Sequence, residues 1–60
     1  MILQVFKSVG STLRIADAYT DLISLYYNQL YPMKKAAGSL GGAVNGGTII
    51  LKNGNYVRVR

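Results

Sequence analysis

Residues 48–60 read TIILKNGNYVRVR, two β-prone runs on either side of Asn53–Gly54. Asn-Gly supplies the two positive-φ positions of a type I′ turn, the strongest short-range hairpin signal a sequence carries. The register that follows pairs Leu51 with Tyr56, Ile50 with Val57, Ile49 with Arg58 and Thr48 with Val59. One face then shows Thr48, Ile50, Val57 and Val59, and is expected to pack on a helix. The other shows Ile49, Leu51, Tyr56 and Arg58, with Arg60 beyond. A two-stranded hairpin is marginal in water, so this one needs a surface to dock on, and the rest of the chain must supply it or leave it to a partner.

Little else is at hand to stabilise the fold. The chain has 60 residues, with no Cys and no His. Disulfides are excluded, and a structural zinc site lacks its usual ligands. A chain of this length hides only about 60% of its unfolded surface, and chains of this size commonly rely on a cross-link, a metal or association. Hydrophobic residues make up 50% of the sequence and charged ones 15%, which separates it from disordered tails. Association is the remaining source of stability. No cofactor or metal is expected.

Residues 11–31 place Arg14, Asp17, Asp21, Ser24 and Asn28 on one face of a helical wheel. Ile15, Tyr19, Leu22, Ile23, Tyr26 and Leu30 fall on the other. Ser11 or Thr12 would cap this amphipathic helix, and Pro32 would end it by forcing Tyr31 out of the α region. Leu25 and Ala18 widen the apolar arc on one side, Ala16 and Tyr27 on the other. The result is about twice the width needed to face one core. Residues 2–9 carry a second apolar stripe, rotated away from the first, so a kink or break is expected near Gly10. The expected fold class is α+β: a kinked amphipathic helix over about residues 2–31, a glycine-rich arm and a C-terminal hairpin. These form a single small domain, with a helical segment at 1–33, a short helix and glycine-rich connector at 34–47, and the hairpin at 48–60.

The run GSLGGAVNGG at residues 38–47 admits three readings. Gly38, Gly42 and Gly46 have the four-residue spacing that lets membrane helices approach closely. A helix over the uncharged residues 36–51 would reach only about 24 Å, however, short of the ~30 Å hydrocarbon core. A phosphate cradle is disfavoured because the run does not follow a strand and lacks the P-loop Lys-Ser/Thr. A pliable connector is the simplest reading, with a turn or two of helix after Pro32 that Gly41–Gly42 stops.

Charge is unevenly placed. Lys7, Arg14, Asp17 and Asp21 cancel within residues 1–33, whereas residues 34–60 carry Lys34, Lys35, Lys52, Arg58 and Arg60 and no acid. An anionic partner for this half is one implication. With neither Cys nor His and only two carboxylates, one helical turn apart on a polar face, the chain is not expected to be an enzyme. The favoured reading is a small structural or assembly subunit that docks into a larger homo- or hetero-oligomeric complex; a minor component of a viral particle is one form such a subunit takes. Its interface candidates are Ala18, Leu25, Tyr27, Tyr31, Ile49, Leu51 and Tyr56. The alternative is a nucleic-acid-binding module using Lys34, Lys35, Lys52, Arg58 and Arg60, and the third reading is a membrane-active peptide. The N-terminus does not read as a signal peptide, because charges interrupt any apolar stretch there. The sequence leaves the location open, with virion or cytoplasm favoured.

Overall fold

A computed structural model describes residues 2–60 and shows an α+β fold of helices layered against a three-stranded antiparallel sheet. The elements are α1 (Ile2–Val5), β1 (Thr12–Arg14), α2 (Ile15–Tyr26), α3 (Pro32–Asn45), β2 (Ile49–Lys52) and β3 (Asn55–Arg58). Strand order is β1-β3-β2, so the last strand is central and the other two are edges.

The hairpin has the expected register: Ile49↔Arg58, Ile50↔Val57, Leu51↔Tyr56 and Lys52↔Asn55. Asn53 (φ 52°) and Gly54 (φ 77°) both take positive φ, as a type I′ turn requires. Its inward face is the reverse of the expected one. Ile49 is fully buried and Tyr56 packs against the core, while Ile50 and Val59 on the opposite face are each 41% exposed. The larger aliphatic and aromatic groups of that pair of faces turn to the helices, because there they remove more apolar area from water.

The support for the hairpin comes from a third strand. Thr12, Leu13 and Arg14 pair with Val57, Tyr56 and Asn55. They are not the first turn of the amphipathic helix, which starts at Ile15 with Arg14 as its extended N-cap. Gly10, at φ 95°, lies in a turn before this strand, where its N–H donates to the Arg58 carbonyl at 2.7 Å. One kinked helix over residues 2–31 is therefore replaced by α1, a turn, β1 and α2. Three short strands bury one face jointly where two would be marginal, and that gain outweighs a further turn of helix at residues 12–14.

The core consists of Phe6, Ala18, Leu22, Ala36, Leu40 and Ile49. Ala18 and Leu22 lie one turn apart on α2, as do Ala36 and Leu40 on α3. The hydroxyls of Tyr26 and Ser39 share a 2.6 Å hydrogen bond that ties the two helices together. α3 corrects the expectation of a flexible connector: it runs unbroken through Gly38, Gly41 and Gly42 to Asn45. Three interior glycines cost about 3 kcal/mol in helix propensity. Burial of Leu40 recovers about 1.5–3 kcal/mol, and Ala36, Ala43 and the Tyr26–Ser39 bond add to it. Helix formation here follows from packing against α2, with Pro32 well suited to the first position.

Candidate functional site: two uncovered apolar surfaces and a cationic groove

The outward sheet face is built by the strand alternation described above. Thr12, Val57 and Ile50 form one cross-strand row, and Arg14, Asn55 and Lys52 the next. Val59 continues the apolar patch, its N–H donating to the Thr48 carbonyl at 2.9 Å. β-branched side chains therefore line the centre of this face and two cations lie at one end. β2 is also an edge strand. In the hairpin's alternation the backbone N–H and C=O groups of Leu51 point away from β3, and Leu51 is itself 57% exposed, whereas Ile49, next in that alternation, is fully buried.

The second surface is the turn joining α2 to α3. Helix α2 ends at Tyr26, earlier than Pro32 alone requires, because the chain must reverse before proline can open α3. Gln29 N–H closes a tight turn on the Tyr26 carbonyl at 2.8 Å. Leu30 (79%), Tyr31 (73%) and Tyr27 (72%) are the three most exposed large hydrophobic residues of the described chain, and Met33 beside them is 63% exposed. Tyr31 sits in the left-handed region at φ 56°, ψ 59°, a conformation that costs a bulky L-residue about 1–2 kcal/mol and that the following proline does not favour. The Lys34 ammonium lies 5.9 Å from the Tyr31 ring centroid.

The third feature is a shallow groove of about 500 Å³ lined in part by Ile2, Leu3, Ser39, Thr48, Arg58 and Arg60. Both arginines are engaged with their own backbone. Arg58 donates from Nη1 to the Phe6 carbonyl (3.0 Å) and from Nε to the Arg60 carbonyl (2.7 Å). Arg60 Nη1 donates to the Gly46 carbonyl at 2.9 Å. These bonds clasp the N-terminal segment and the α3–β2 turn to the sheet.

Among the interface candidates, Ala18 and Ile49 are corrected: both are fully buried in the core. Ala18 has the small side chain that lets α2 approach its neighbours, and Ile49 faces inward because the hairpin face is reversed. Tyr56 also packs against the core. Leu25 is 40% exposed and lines a groove with Asp21 and Ser24. Tyr27 and Tyr31 come together in the turn. The five cations do not form one patch: Lys34 and Lys35 open α3, Lys52 stands beside the hairpin turn, and Arg58 and Arg60 share the groove. Asp17 accepts a 3.1 Å hydrogen bond from Arg14 Nε on the exposed surface. No group of three potential metal ligands occurs among the described residues.

Reading the sequence missed Leu30 and Met33 as surface groups, because Leu30 fits the apolar arc of an unbroken helix. The signal was local: polar Asn28–Gln29 followed by Pro32 marks a turn. It also missed Ile50 and Val59, for which the cue was the greater bulk of the Ile49–Leu51–Tyr56 face. Comparison with protein-family models, curated proteins and solved structures finds no match to the chain.

Proposed function

We propose that the protein is a small, non-enzymatic structural subunit that docks into a larger assembly through the outward face of its sheet and the exposed Leu51 end of the β2 edge. The observation that supports this most directly is the contiguous row Thr12–Val57–Ile50, extended by Val59, on a sheet whose other face alone packs on the helices. Scattered exposed hydrophobics are ordinary, whereas a contiguous β-branched face beside an unpaired edge is what natural monomers avoid or bury in an interface. Leu25, on α2, is a further exposed apolar side chain.

The nucleic-acid alternative has less support. Its one aromatic, Tyr56, packs against the core, and Arg58 and Arg60 spend donors on backbone carbonyls. A strand reader needs aromatic groups free to stack on bases.

The test is light scattering over a concentration series, joined to recovery of the protein with its partners from the native source, for the wild type and for Ile50→Lys/Val59→Lys. The wild type is expected to enter a defined complex and the double variant to lose it, with far-ultraviolet circular dichroism unchanged. A wild type that stays monomeric and co-purifies with nothing in fixed ratio refutes the proposal.

A further inference from the structure

The turn between α2 and α3 stands apart from the sheet surface in place and in chemistry. It joins the helix ends that are remote, along the chain, from the β1 and β2 junctions. Within seven residues it exposes two tyrosines, a leucine and a methionine, and the next two residues are lysines. No acid follows Asp21 in the sequence, so nothing nearby along the chain neutralises Lys34 and Lys35. Tyr31 is held in a backbone conformation that bulky residues rarely adopt, and its ring is left mostly in solvent. Such a residue would ordinarily relax or be buried.

We propose that this turn is a lipid-contact tip that seats on an anionic bilayer surface. Tyr27, Leu30, Tyr31 and Met33 enter the headgroup layer, and Lys34 and Lys35 meet the lipid phosphates. Tyrosine suits the membrane–water interface because its ring is apolar and its hydroxyl stays wet. Lysine places its alkyl stem along apolar matter with the ammonium at the phosphate level, and the Lys34 ammonium already lies beside the Tyr31 ring. Charge complementarity selects an anionic surface. The aliphatic Leu30 and Met33 favour lipid over nucleic acid, since neither offers a face for base stacking. Among the described residues no helix is long and apolar enough to cross a membrane, so the contact is peripheral.

The full chain is tested by co-sedimentation with phosphatidylcholine vesicles, with and without phosphatidylglycerol, at low and physiological salt. Binding is expected with phosphatidylglycerol and to weaken with salt. Lys34→Gln/Lys35→Gln should lower partitioning by up to about thirtyfold, from about 1 kcal/mol per lysine near an anionic surface. Leu30→Ser/Tyr31→Gly should lower it by about tenfold or more; the glycine accepts the left-handed backbone, so circular dichroism should not change. Ile50→Lys/Val59→Lys should still bind, which separates this tip from the docking role of the sheet. A wild type that stays in the supernatant with anionic vesicles at low salt overturns the proposal. So does binding that the Leu30/Tyr31 variant retains, or binding equal on neutral and anionic vesicles. Oligonucleotide binding lost in both turn variants, without vesicle binding, would reassign the tip to nucleic acid.

Discussion

Replacing Gly38, Gly41 and Gly42 with alanine should stabilise the protein. All three lie inside α3, and a Cβ built at any of them meets no other atom within 4 Å beyond the helix's own backbone. Nothing in the chain therefore opposes the new methyl groups. Each substitution removes backbone freedom that glycine has only in the unfolded state, a gain of about 0.5–1 kcal/mol. The triple variant should gain about 1.5–3 kcal/mol. Against a total of roughly 3–9 kcal/mol for a chain of this size, that is a large fraction, and it should raise the melting temperature by on the order of 10 °C. Thermal and urea unfolding followed by circular dichroism at 222 nm (the helix band) read both the gain and the helix content. A neighbouring glycine provides a contrast of opposite sign. Gly47→Ala meets a φ of 78° and the Arg60 Nη1 at 3.2 Å, so it should destabilise. A triple variant no more stable than the wild type would show that residues 38–42 are not helical in solution, and the packing account of α3 would fall with it.

Two further substitutions test other joints of the fold. Gly54→Val forces a β-branched residue to φ 77° and should destabilise by more than about 1 kcal/mol, read by urea denaturation; an unchanged midpoint would exclude the type I′ turn. A double-mutant cycle on Tyr26→Phe and Ser39→Ala should return a coupling of about 1 kcal/mol, with Ser39→Ala alone partly offset by the better helix propensity of alanine; a coupling near zero would mean that the hydroxyls do not meet in solution.

The hairpin was legible because its determinants are local: Asn53–Gly54 fixes the turn, and the turn fixes the register. The core stripe of α2 was legible through Leu22, Ile23 and Tyr26, whose spacing survives a shift in the helix boundary. What sequence could not reveal depended on distant partners. Thr12–Leu13–Arg14 is too short to announce itself as a strand and becomes one only because β3 offers an edge. The glycines of α3 argue against helix until the burial of Ala36 and Leu40 is counted. Of the candidate site, Tyr27, Tyr31 and Leu51 were found as exposed groups, whereas Ala18 and Ile49 were misplaced because a small residue and a reversed face cannot be told apart by periodicity.

The central position of β3 bears on how the molecule assembles itself. Thr12 and Val57 come from distant parts of the chain, yet their pairing completes the sheet. The hairpin can close within microseconds, but its second neighbour arrives only after a long loop has been shut, with the entropy loss that entails. Kinetically, the slow event should be the capture of residues 12–14 by a ribbon already formed, and weakening that capture should slow refolding more than it speeds unfolding.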